Sequence, residues 1–132
     1  MKIAITFGTF DMLHIGHIRL IQRASTYCDK LIVGVSTDEL NFNKKGKKPY
    51  FNLETRLEMI KNIKGVAIVF KEESLEKKKQ YIEETGAELL IMGDDWEGKF
   101  DKLGIETLYL SRTEGISTTD IKNGTVQNNF KN

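Results

Sequence analysis

The chain has 132 residues, 39% of them hydrophobic and 30% charged, as expected of one ordinary soluble domain with enough apolar material for a real core. A formal net charge of +1 argues against a general nucleic-acid or membrane-surface binder, and a single cysteine excludes an internal disulfide. No apolar run is as long as a signal-peptide core or a membrane span, so a reducing cytoplasm is the expected compartment.

In chain order, residues 3–7 alternate and branch like a buried strand, and residues 18–24 have helical periodicity. Between them lies Gly8-Thr9-Phe10-Asp11-Met12-Leu13-His14-Ile15-Gly16-His17, a strand-to-helix crossover. Gly8 allows a turn and a close backbone approach to a ligand, and Gly16 leaves room against the first helical turn. A helix N-terminus here offers unpaired N–H groups and partial positive charge, which suits a phosphate. His14 and His17 are three apart, so a helical turn places both imidazoles on one side, where they can offset charge during phosphoryl or nucleotidyl transfer. A metal-site reading of the pair is weak: Cys28 lies on the far side of the helix and no His-Glu-x-x-His pattern occurs.

Residues 29–36 have a continuous apolar middle, the pattern of a parallel strand covered on both faces. Residues 41–49 are polar and cationic, contain the only proline, and read as a loop. Asn52 is a reasonable N-cap for a helix with Leu53, Leu57, Ile60 and Ile63 along one face, and Arg56 lies off that stripe. Residues 66–70 read as a third strand. Ser74 is expected to cap a highly charged helix ending at Gly86, with Leu75 and Ile82 facing inward. Its lysines 77–79 are read mostly as solvated face, with Lys78 kept as a candidate contact for an anionic acceptor. Residues 89–92 form a short apolar strand running into Gly93-Asp94-Asp95-Trp96-Glu97-Gly98-Lys99, and a last strand is expected near 106–110. Ser117-Thr118-Thr119-Asp120 has the spacing of a capping box and so of another helix start. One catalytic domain is expected over 1–124, with 125–132 a frayed tail.

This order of elements gives an α/β fold, a Rossmann-like, doubly wound parallel sheet with right-handed crossovers, whose ligands bind beyond the carboxyl ends of the strands. The segments starting at Gly8, Gly93 and Ser111 each follow a strand directly, so they share one edge. That edge carries helix N-termini, two histidines, arginine, lysines, hydroxyls and an aromatic-carboxylate loop, an inventory suited to a nucleoside triphosphate. Neither a Walker A pattern nor a nucleophile elbow is present, which disfavours kinase and acyl-transfer chemistry.

The run GTFDMLHIGH resembles the signature of the nucleotidyltransferase superfamily whose members carry an HxGH motif. GDDWEGKFD at 93–101 and RTEGISTTDIK at 112–122 resemble the bacterial glycerol-3-phosphate cytidylyltransferases in particular, and the likeness runs from about residue 2 to about residue 122. The resemblance implies that a phosphate oxygen of an alcohol phosphate attacks the α-phosphorus of CTP directly. His14, His17, Lys44, Arg112 and Ser117 would be catalytic. Gly8, Thr9, Phe10, Asp11, Gly93, Asp94, Trp96, Thr113, Thr118 and Thr119 would hold the nucleotide, with Asp11 orienting the loop or a Mg²⁺-bound water rather than acting as a base. Lys44 and one of Lys47 or Lys48 would close on the triphosphate, and Arg56 stands where the family carries a substrate-side arginine.

Where relatives read arginine, an aromatic or apolar residue, valine and aspartate, this chain reads Lys64-Gly65-Val66-Ala67, and Lys64 is a candidate acceptor contact. Mg²⁺ is expected on the triphosphate with no protein ligand, and family members of this short kind are homodimers. Glycerol 3-phosphate is the expected acceptor, because the spare groups at the edge are Lys and Arg rather than the carboxylates or aromatic cage a choline or ethanolamine cation needs. Those phosphates, sugar-alcohol phosphates, an adenylyltransferase and a non-catalytic CTP-binding module are the alternatives.

Overall fold

A computed structural model describes residues 1–111; Arg112, Thr113, Ser117, Thr118, Thr119, the helix expected after them and the 125–132 tail lie outside the described residues. The elements run β1 (Ile3–Gly8), α1 (Ile15–Ser25), β2 (Lys30–Ser36), α2 (Asp38–Lys45), α3 (Leu53–Lys61), β3 (Val66–Glu72), α4 (Lys78–Thr85), β4 (Leu89–Gly93) and β5 (Glu106–Leu110). Two 3₁₀ turns, Asp94–Trp96 and Asp101–Leu103, join the last two strands. The strands form one sheet in the order β3-β2-β1-β4-β5, and every pair is parallel.

Alternation along the strands divides the core. Ala4, Leu31, Val33, Val35 and Ile91 turn to one face, where Ile21 and Ala24 of α1 and Ile60 of α3 cover them. Ile5, Phe7, Ile32, Leu90 and Met92 turn to the other, against Ile82 and Tyr81 of α4 with Phe100 and Leu103 of the last connection. Layers on both faces are why β2 reads as unbroken apolar sequence. The chain winds outward from β1 in one direction to β3 and in the other to β5, so the carboxyl ends of β1 and β4 flank the switch point where ligands bind in such sheets.

Two expectations fail locally. Residues 41–45 belong to α2 rather than to a loop. Thr37 caps it through its side chain to the Leu40 N–H, Asp38 and Glu39 occupy the first turn, Lys44 and Lys45 the last, and Gly46 closes it at φ 76°. The lysines that suggest a solvated loop in fact complement the negative helix end. Ser74 does not cap α4, which starts at Lys78 without a side-chain cap, and Leu75 is 41% exposed rather than inward. Ser74 instead accepts from the Glu76 N–H in the turn before the helix. The α3 cap is as expected: Asn52 accepts from the Thr55 N–H and Ile60 is buried, though the helix ends at Lys61 and buried Ile63 lies beyond it.

Candidate functional site

The crossover after β1 is the most constrained stretch of backbone. Phe10 and Met12 have φ of 53° and 50°, the only positive values at non-glycine positions among the described residues. Each costs on the order of 1–2 kcal/mol for a residue with a Cβ. Gly8 is needed for a different reason from the turn that its sequence context suggests. A Cβ there would stand 2.7 Å from the Phe10 ring, which folds back over the end of β1.

The histidines start α1. His14 is its N-cap, with Nδ1 accepting from the Gly16 N–H at 3.1 Å, and His17 Nδ1 accepts from the His14 N–H at 3.2 Å. The rings lie 3.9 Å apart between centroids, tilted by 32°. Two N–H groups expected to await a phosphate are therefore taken by the imidazoles themselves. With Nδ1 accepting, the ring proton sits on Nε2, so each neutral histidine offers one outward donor. Burial lowers the pKa of His14, and burial followed by the neighbouring His14 pushes His17 down to about 4. The expectation that imidazoles offset charge thus becomes donation by neutral rings.

Beside the crossover a hydrogen-bonded knot seals the end of β2. Thr9 Oγ1 donates to Asn41 Oδ1 at 3.0 Å, Ser36 Oγ lies 3.2 Å from Thr9 Oγ1, and Asn41 Nδ2 donates to Ser36 Oγ at 2.7 Å. The Thr9 hydroxyl is committed to the protein, so a phosphate contact there falls to the backbone. Asp11 is likewise engaged: its two oxygens accept from the Tyr50 and Phe51 N–H groups at 2.6 and 2.9 Å.

Two cavities open at this edge. One, about 350 Å³, is lined by Gly8, Thr9, Phe10, Asp11, His17, Gly93, Asp95 and Trp96 among others. The other, about 490 Å³ and on the α4 side, is lined by Gly8, Thr9, Ser36, Lys44, Lys45, Glu72, Lys78, Trp96 and Phe100 among others. Gly8, Thr9, Lys45 and Trp96 border both. Across the mouth, Lys44 and Lys99 place their ammonium groups 6.0 and 5.8 Å from the Trp96 ring centre. Desolvation lowers the pKa of Lys44, with Lys45 and Lys78 adding to the fall and Glu72 opposing it, as a crowded cationic rim would.

Four expected contacts are corrected. Arg56 is completely buried, with donors spent on Phe51 O, Thr9 O, Ser36 O and the Asp38 carboxylate, so it presents no free fork to an acceptor. Lys64 lies two residues before the start of β3 and so stands at the amino edge of the parallel sheet, opposite the cavities. Lys47 and Lys48 are exposed past the end of α2 and border neither cavity, whereas Lys45, which sequence reasoning passed over, borders both. Asp94 is exposed on its 3₁₀ turn, and its neighbour Asp95 lines the smaller cavity. Lys78 does reach the larger cavity, yet as a buried residue rather than solvated face. Its ammonium pairs with the Glu72 carboxylate and lies 4.7 Å from the Phe7 ring centre and 5.7 Å from that of Phe100.

Ser36, Asn41, Glu72 and Phe100 were also missed. For Asn41 a signal existed: Thr37 followed by two acids marks a helix start, and Asn41 stands one turn later. Among the described residues no group of three or more His, Cys, Asp or Glu is gathered as a metal site requires, and no helix is long and apolar enough to cross a membrane.

Comparison with known proteins adds four findings. The model of the cytidylyltransferase-like family matches residues 5–124. The chain is 51% identical over 124 residues to a glycerol-3-phosphate cytidylyltransferase of Bacillus subtilis, covering 92% of this chain and 95% of that one. It is 48% identical to one of Staphylococcus aureus, covering 92% and 93%. A crystal structure of the lipopolysaccharide core biosynthesis protein from Thermoplasma volcanium superposes with a TM-score of 0.68 at 26% identity, over 86% of this chain and 97% of that one.

Proposed function

The chain belongs to the cytidylyltransferase-like family, and we propose from that premise that the described edge is where CTP and sn-glycerol 3-phosphate are joined. The enzyme is a nucleotidyltransferase, and its products are CDP-glycerol and pyrophosphate. The observation that carries the placement is the histidine pair at the start of α1, its Nδ1 atoms turned to the backbone beside Gly8 and Thr9 at the switch point. A phosphate oxygen of glycerol 3-phosphate attacks the α-phosphorus of CTP, a new P–O bond forms, and the bond to the β-phosphate breaks to release pyrophosphate. A phosphate is already ionised at neutral pH, so no general base is required, in keeping with the engagement of both Asp11 oxygens by backbone N–H groups.

The Nε2–H groups of His14 and His17 donate to the α-phosphate as charge gathers there, without the cost of introducing a cation. Lys44 and Lys45, on the last turn of α2, take the β- and γ-phosphates, and Trp96 with Gly93 bounds the base. By the family resemblance alone, Ser117, Thr118 and Thr119 would hold phosphates and Arg112 and Thr113 would position the nucleotide. The acceptor occupies the larger cavity, where Lys78 meets its phosphate and the paired Glu72 faces its hydroxyls. Mg²⁺ would be held by the triphosphate rather than by the protein, and would supply charge to offset that on the leaving pyrophosphate. The protein works in the cytoplasm as a homodimer. The assay is pyrophosphate release with glycerol 3-phosphate and either CTP or ATP: CTP should support turnover and ATP should not, and the reverse preference would overturn the nucleotide assignment.

A further inference from the structure

Arg56 and Asp11 come from separate segments, and each bonds backbone in the stretch just before the other: Asp11 at Tyr50 and Phe51, Arg56 at Thr9. The Asp11 carboxylate accepts from the N–H groups of Tyr50 and Phe51. The Arg56 guanidinium donates through Nε to Phe51 O at 2.9 Å and through Nη1 to Thr9 O at 3.0 Å and Ser36 O at 2.7 Å. Its Nη2 holds Asp38 Oδ1 at 2.6 Å, and the other oxygen of Asp38 lies 3.4 Å from the Leu53 N–H at the start of α3. The carbonyl of Thr9 is thus gripped immediately before Phe10, and Asp11 is gripped immediately before Met12, the two residues held at positive φ.

We propose that Asp11 and Arg56 form a reciprocal clasp, a positioning unit that holds the strained crossover, and with it His14 and His17, in the geometry needed for transfer. The clasp acts through backbone, although Asp11 also borders the smaller cavity. Every Asp11 and Arg56 bond named above ends within the protein, and Arg56 has no exposed surface. Through Asp38 the clasp also fixes the start of α2, and so the placement of Lys44 and Lys45 at its end. Without it, backbone at Phe10 and Met12 relaxes toward negative φ, which swings the N-cap histidine away from its partner. Because both side chains act on one backbone feature, loss of either releases the same strain.

The proposal rests on the transferase reading for its kinetic arm, and a second arm reads the ligand-free protein. In Arg56→Lys and Asp11→Asn, kcat at saturating substrates should fall about 10- to 100-fold, the loss expected of misplaced groups, while both KM values stay within about threefold. The double variant should be no worse than the poorer single variant by more than about threefold, since coupled residues are not additive. In the absence of nucleotide, the imidazole ¹⁵N resonances of His14 and His17 should move in each variant. Arg56→Lys keeps the charge for Asp38, and Asp11→Asn keeps shape at a half-buried position, so the resonance measurement stands on the second alone if the first does not fold. An acceptor KM raised with kcat intact, independent effects that multiply in the double variant, or unmoved histidine resonances would each overturn the clasp. Absence of turnover in the wild-type protein would instead count against the transferase reading, leaving the resonance arm to decide the clasp.

Discussion

His14 has two separable tasks, and substitution can divide them. As N-cap of α1 it accepts from the Gly16 N–H through Nδ1, and as proposed donor it uses Nε2. His14→Ala removes both. Loss of a side-chain cap costs about 1 kcal/mol, or about 4 °C in Tm for a domain of this size. Loss of one preorganised donor to a developing anion costs about 10² to 10³ in kcat, or about 3–4 kcal/mol of barrier. His14→Asn should separate the two, because asparagine is among the best capping residues yet has no group at the Nε2 position. The expected result is an Asn variant with wild-type Tm and pyrophosphate release still reduced about a hundredfold, beside an Ala variant reduced in both. Thermal denaturation and single-turnover pyrophosphate release measure the two quantities on the same samples. If asparagine restored turnover to within a few-fold of wild type, the histidine would be a cap and nothing more.

Since burial pushes the His17 pKa down to about 4 from the usual 6.5, the unfolded chain binds more protons between those values, and this group's share of stability is complete above about pH 6.5 and is lost as pH falls toward 4. The urea midpoint of the wild type should therefore fall more steeply from pH 7 to pH 5 than that of His17→Gln; parallel slopes would contradict the buried neutral ring. Lys78→Ala leaves the Glu72 carboxylate buried without its partner and should cost about 3–5 kcal/mol in denaturant unfolding, whereas Lys78→Met with Glu72→Leu should recover most of it. Equal losses in both would show that the pair is not what matters there. Turnover should vanish in excess chelator and return with Mg²⁺, and full activity in the chelator would remove the metal from the account.

The sheet and its ligand edge could be read from the sequence because they depend on local pattern: unbroken apolar strands, the Asn52 cap and the stripe Leu53, Leu57, Ile60, each declared within a few residues. What escaped was carried by partners distant in sequence or by unusual use of a residue. Histidine is an uncommon N-cap, so the start of α1 at Ile15 was hidden behind a chemical reading of His14. Arg56 read as a substrate-side arginine because three of its four acceptors are carbonyl oxygens, at Thr9, Ser36 and Phe51, which any residue supplies and no sequence pattern marks. Lys78 sits in a run of three lysines whose composition says solvent, and only the fold brings it to Glu72 and Phe7. Lys64 failed in the other direction: a comparison of aligned motifs says nothing about which end of a strand a residue occupies.

The most direct measurement is product formation from CTP with a panel of acceptors: glycerol 3-phosphate, phosphocholine, phosphoethanolamine and sugar-alcohol phosphates. The account predicts CDP-glycerol as the product formed with the highest kcat/KM, since the acceptor cavity presents the Lys78 ammonium and a Glu72 carboxylate already paired with it. A clear preference for phosphocholine or phosphoethanolamine would contradict it.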